Sequence, residues 1–139
     1  MPEQISQEEM QEKIKNMSPE ELKELQKQQC IFCQLISGKI PAKKIYEDDK
    51  CLAILDINPA NPGYLLLIPK EDYPLMTLMP DEVIKHLGMV SKALSKALLM
   101  SAGAEGTTIF IANGGTAGQR AQHFMIHIIP RKPGDGVPL

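Results

Sequence analysis

His123 and His127 stand four positions apart in the run Gln-His-Phe-Met-Ile-His-Ile-Ile, with Met125 midway between them. On an extended strand side chains alternate faces, so residues 123, 125 and 127 point one way, roughly 6.8 Å apart from one to the next. The opposite side, Phe124, Ile126 and Ile128, reads as core. Imidazoles in such a row can act as nucleophiles, donate to a phosphate or ligate a metal. A thioether between them has no titratable proton and is a poor nucleophile toward phosphorus. A third histidine at position 125 would complete a catalytic row, so that position separates a catalyst from a binder.

Other residues could join this chemistry. Cys30-Ile-Phe-Cys33 supplies two thiols at a spacing suited to zinc, which equally fits a buried thiol pair or a redox dithiol. Cys51, inside an apolar run, reads as a small buried hydrophobe. Asp56, at the end of a predicted strand, can accept hydrogen bonds from two neighbouring hydroxyls, or it can cap the turn before Asn58-Pro59. The loop Asn113-Gly-Gly-Thr-Ala-Gly118-Gln119 is small enough for backbone N–H groups to approach an anion, with Gln119 as a side-chain donor; it also fits a plain hairpin connection. His86 falls within a helical pattern and reads as a surface or core-edge residue.

The elements that must position these groups follow from periodicity. Ser6 with Glu9, and Ser18 with Pro19 and Glu21, open two short polar helices, so residues 1–29 read as a helical extension and 30–139 as the domain. A short helix over 31–37 stops at Gly38. Strands are predicted over 44–47 and 51–55, joined by an Asp48-Asp49 turn, then over 64–68 with Pro69 closing the run. Apolar residues from Val83 to Leu98 recur at helical spacing, giving the main helix over 80–100. Strands over 107–112 and 121–129 complete an α+β domain: a mostly antiparallel five-stranded sheet with one main helix.

The 139 residues suffice for a single core, and the net charge of −2 with dispersed Lys and Arg gives no footprint for a nucleic acid polymer. The polar, acid-rich N-terminus and the shortness of the longest apolar run (64–69) argue against a membrane segment. A cytoplasmic protein is expected.

The run Gly118-Gln119 through His123, His127 and Arg131, taken with Cys30-Ile-Phe-Cys33, Tyr46-Glu47-Asp48, Leu55-Asp56-Ile57-Asn58-Pro59 and Ile68-Pro69-Lys70, resembles the histidine triad (HIT) nucleotide-binding family. The fragments occur in family order from Cys30 to about Arg131, and their joint spacing is far more specific than any one of them. The family motif is His-x-His-x-His, whose middle histidine attacks the α-phosphate of a nucleoside phosphoramidate or related ester; here that position is Met125. The resemblance implies a HIT-like fold and a homodimer. It also implies a purine mononucleotide such as AMP or GMP held by Asp56, Ile57, Asn113, Gly118, Gln119 and His127, with Ile31, Phe32 and Ile54 around the base. It implies zinc on Cys30, Cys33, His123 and a residue after Pro-Lys-x, which is Asp72 here where zinc-binding relatives have histidine. Two further departures are Tyr64, where many relatives have histidine, and Ala112, where the family's asparagine falls beside Asn113. Nucleotide binding with lost or strongly reduced histidine catalysis is the expectation. The alternatives are a phosphoramidate or dinucleoside polyphosphate hydrolase or transferase with a non-standard nucleophile, His127 being one candidate, and a protein-interaction scaffold.

Overall fold

The computed structural model describes residues 6–22, 31–56, 63–101, 103–119 and 123–138, without the side chains of Met10, Ile14 and Ile31. Cys30, Ile57 and the boundary between residues 29 and 30 lie outside these residues. Among the described residues, helices α1 (Gln7–Lys15), α2 (Ile31–Ser37) and α3 (Asp81–Ser101) accompany strands β1 (Lys44–Glu47), β2 (Cys51–Leu55), β3 (Leu65–Pro69), β4 (Gly106–Phe110) and β5 (Ile126–Arg131). The strands form one sheet in the order β1-β2-β3-β5-β4, and every neighbouring pair is antiparallel. This is the α+β architecture expected from the sequence.

Both N-terminal helix starts carry the expected caps. Ser6 Oγ accepts the Glu9 N–H at 3.3 Å and Ser18 Oγ accepts the Glu21 N–H at 3.1 Å. The central strands β2, β3 and β5 are buried on both faces. On one, Leu87, Val90, Leu94 and Leu98 of α3 pack with Cys51, Ala53, Leu65, Leu67, Phe124, Ile126 and Ile128. On the other, Leu35 of α2 packs with Leu52, Ile54, Tyr64, Leu66, Ile68 and Ile129, joined at the edge by Phe32, Phe110 and Met125. The alternation expected of the histidine run therefore holds: Phe124, Ile126 and Ile128 face α3, and Met125 faces the other way. No described helix is long and apolar enough to cross a membrane.

The last strand differs from expectation at both ends, running Ile126–Arg131 where the sequence predicts 121–129. The Phe124 N–H donates to the Tyr73 carbonyl at 2.6 Å, and the His123 ring bonds to the Pro69 carbonyl, so this backbone is held by a neighbouring segment and not by the ladder. At the other end β5 continues through Pro130, which lies beyond the last β3 pair, Leu65 with Ile128. Flanked there by β4 alone, the strand tolerates a residue lacking an N–H. The Arg131 guanidinium closes the C-terminal turn by bonding both Asp135 carboxylate oxygens, at 2.7 and 3.1 Å, and the Val137 carbonyl.

The predicted Asp48 turn does more than reverse the chain. Asp48 Oδ1 accepts from the backbone N–H groups of Lys50 and Cys51, both at 2.8 Å, while Oδ2 meets the Tyr46 hydroxyl at 2.8 Å and His86 Nε2 at 2.7 Å. The β1–β2 hairpin is thereby tied to α3. Burial pushes the Asp48 carboxyl up, but the hydrogen bonds from Tyr46, Lys50, His86 and Cys51 outweigh it and hold the group below the usual carboxylate range. A carboxyl whose folded pKa is depressed contributes stability that is present above its unfolded value near 3.9 and is lost as pH falls. Asp48→Asn is accordingly expected to be less stable than the parent at pH 7, with the gap narrowing steadily below about pH 4. Urea unfolding at several pH values measures this, and an equal gap at pH 3 and pH 7 contradicts it.

Candidate functional site

The face of the sheet away from α3 presents rows of side chains aligned across strands. One row is Ile54, Leu66, His127 and Phe110, each directly opposite the next. Asp56 and Tyr64 lie at the adjoining ends of β2 and β3, where the Asp56 N–H donates to the Tyr64 carbonyl at 3.0 Å.

His127 is held on two sides. Phe110 stacks on its ring with centroids 4.2 Å apart and planes within 1°. Tyr64 meets it edge-on at 83°, and the Tyr64 hydroxyl lies 2.9 Å from His127 Nδ1. Burial lowers the His127 pKa and the Asp56 carboxylate partly opposes this, so the ring is neutral at pH 7. The Tyr64 phenol is raised, by burial and then by Asp56, and is protonated.

A cavity of 410 Å³ opens beside this row, lined by Leu35, Pro41, Ala42, Lys43, Ile54, Leu55 and Asp56. Two residues singled out from the sequence, Ile54 and Asp56, line it. Phe32 instead lies against His123, with ring centroids 6.1 Å apart. The Ile31 side chain and Ile57 fall outside the described residues. Lys43 and its neighbours were not predicted, although a signal existed: β1 runs antiparallel to β2, so residues before Lys44 must pass the end of β2. The Leu55 N–H indeed donates to the Lys43 carbonyl at 3.1 Å.

The loop after β4 is braced against the segment before the 3-10 turn Met76–Leu78. Asn113 Oδ1 accepts the Met76 N–H at 2.9 Å, and Gln119 accepts the Gly114 N–H and donates to the Pro74 carbonyl, both at 2.6 Å. Gly118 has φ of 95°, a left-handed conformation suited to glycine, with open space around its Cα. These side chains support the loop, and the bond to Pro74 uses one of the two N–H donors of the Gln119 amide.

His123 is fully buried. Its Nε2 lies 3.1 Å from the Pro69 carbonyl, an acceptor only, so Nε2 carries a hydrogen, and in the neutral ring, the form that ligates a metal, Nδ1 presents a lone pair. That lone pair faces Asp72 Oδ1 at 3.3 Å and Cys33 Sγ at 3.7 Å. Tetrahedral zinc, with bonds of about 2.0–2.1 Å to N or O and about 2.3 Å to S, separates N and O donors by about 3.3 Å and N and S donors by about 3.6 Å. The three described groups fit a metal; Cys30 lies outside the described residues. A second trio, Asp48, Cys51 and His86, also lies within 4.8 Å. It reads as a structural brace, because both Asp48 oxygens are spoken for and burial, reinforced by Asp48, pushes the Cys51 thiol up to about 12.

Tyr64 and Phe110, which hold the His127 ring, are further site residues for which the sequence suggested no role. Tyr64 stood out there only as a missing histidine.

Comparison with known proteins bears on this arrangement. The HIT domain family model matches residues 37–134. An adenylylsulfatase of Arabidopsis thaliana is 42% identical over 106 residues, covering 76% of this chain; the chain spans 54% of that relative's length. An adenosine 5'-monophosphoramidase of Candida albicans is 35% identical over 107 residues, 74% of this chain and 70% of the relative. Among solved structures, a zinc-bound histidine triad family protein from Mycobacterium smegmatis superposes with a TM-score of 0.75 at 36% identity, covering 79% of this chain and 80% of that one. With its sheet order, its paired histidines and a family match over most of its length, the chain belongs to the histidine triad family.

Proposed function

We propose that this protein binds a purine mononucleotide such as AMP or GMP, and that it has lost or strongly reduced nucleotidyl-histidine catalysis. The observation that carries the reading is the 410 Å³ cavity with Asp56 in its wall, a carboxylate that also acts on the Tyr64 and His127 pair. Its apolar lining suits a base, and the carboxylate can accept from both ribose hydroxyls. A phosphate beyond the ribose would meet His127 and the loop from Asn113 to Gln119. Met125, half-buried against the cluster on this face of the sheet, occupies what we take to be the nucleophile position.

Calorimetric titration with AMP, GMP and adenosine tests the binding. Asp56→Asn is expected to weaken AMP by about tenfold, the equivalent of about 1.4 kcal/mol. Absence of both heat and thermal shift at millimolar nucleotide would sink the proposal.

The alternative reading, a hydrolase or transferase using His127 or direct attack by water, is favoured by the activities of the two named relatives. It predicts AMP release that His127→Ala abolishes. We further propose zinc on Cys30, Cys33, Asp72 and His123, a cytoplasmic location, and no nucleic acid polymer as partner. Residues 1–29, which precede the matched segment, are proposed as an extension to the domain. A homodimer is proposed through α3 and the edge strand β4, where Met89, Met100 and Ile109 are exposed.

A further inference from the structure

Tyr64 and His127 are 63 residues apart in sequence, yet their side chains form a directed pair on the site face. Tyr64 is 8% exposed, and its hydroxyl has no acceptor other than His127 Nδ1 among the described residues. Only one of the two atoms can supply the proton between them. If Nδ1–H donated, the phenolic proton would be left in a buried environment without a described acceptor, which is unfavourable. If the phenol donates, its proton is satisfied and the second ring nitrogen, Nε2, carries the imidazole hydrogen. Imidazole nitrogen is also the stronger acceptor of the two, since it is far more basic than a phenol oxygen. Phe110, parallel to the ring at 4.2 Å, fixes its plane and so the direction in which Nε2–H points.

We propose that Tyr64 is a positioning residue that fixes the proton of His127 on Nε2, making this histidine a neutral, aimed N–H donor for a phosphate oxygen and not a nucleophile. The assignment rests on the mononucleotide reading for its ligand, but the proton placement itself does not. It also agrees with the ring being neutral at pH 7. An imidazole nucleophile needs the Nε2 lone pair, and the phenol removes it by claiming Nδ1 as acceptor. His123 likewise directs its Nε2–H at an acceptor, the Pro69 carbonyl, so the two histidines present the same ring hydrogen to separate tasks.

Two measurements test this. In the ligand-free protein, long-range nitrogen–proton correlation spectra of the His127 ring should show the hydrogen on Nε2. Tyr64→Phe, which keeps the packing, should give a mixture of both tautomers. On binding, Tyr64→Phe is expected to weaken AMP about fivefold while leaving adenosine within twofold. His127→Gln supplies an N–H at the Nε2 position with no tautomer to set, so adding Tyr64→Phe to it should cause no further loss of AMP affinity. A wild-type ring carrying its hydrogen on Nδ1 overturns the proposal, as does equal AMP affinity for wild type and Tyr64→Phe. If neither AMP nor adenosine binds the wild-type protein, the mononucleotide reading fails and the donor role for phosphate falls with it, while the tautomer spectrum separately decides the proton placement.

Discussion

Met125→His is expected to raise AMP release from an adenosine phosphoramidate by at least about three orders of magnitude over the parent, whose rate should lie near the buffer background. Deleting a nucleophile from a well-studied hydrolase lowers turnover on the order of 10⁶-fold, and restoring one in a site not optimised for it recovers part of that factor. Position 125 is suited to the exchange. It shares the site face with His127, it is half-buried, and the cluster it packs against is apolar. Attack would form a phosphorus–nitrogen bond to the new imidazole and expel the amine, and water would then release AMP. Quenched-flow mass spectrometry should find an acid-labile nucleotidyl adduct on the variant alone. An unchanged rate in a variant that still binds AMP would mean that position 125 does not face the reacting phosphorus.

Removing zinc is expected to have the largest effect on stability. A ligand present at 1,000 times its Kd contributes about 4 kcal/mol, which for a domain of this size corresponds to a fall in Tm of about 10–20 °C on chelation. Cys33→Ser and His123→Ala should each abolish stoichiometric zinc, read by elemental analysis, and should make Tm insensitive to chelator. His123→Ala should be the less stable, because it also strands the Pro69 carbonyl and opens a hole in a fully buried position. Asp72, exposed, is the proposed ligand most open to exchange, and Asp72→His is expected to tighten zinc. Wild-type protein that purifies without zinc and shows the same Tm with and without it would remove the metal from this account.

Much of the fold was legible because local patterns and tertiary structure agree. The apolar spacing from Val83 to Leu98 gives a helix whose stripe is the one buried, and Asp48 marks a hairpin that it then braces. The errors fall where distant backbone intervenes. Nothing near His123 and Phe124 reveals that Pro69 and Tyr73 supply their acceptors, so the last strand was begun too early. The cavity wall at Lys43 depends on a one-residue shift in pairing between Lys44 and Tyr46, a bulge with no residue signature of its own. The Tyr64 and His127 contact depends on the β3–β5 register, which places Leu66 opposite His127. Sequence spacing identifies the types of residue available for chemistry, but such registers decide which of them meet.

The two-sided burial of the central strands has a consequence for how such a chain can change over time. Along the run from His123 to Ile129, one parity of residue number sits in the α3 core and the other faces the cavity side, so selection on shape and selection on reactivity act on alternate positions. A methionine arriving at position 125 disturbs none of the contacts with α3 and adds apolar area on its own side. Reaction chemistry can thus be surrendered without passing through an unfolded intermediate sequence, and the same separation leaves the route back open.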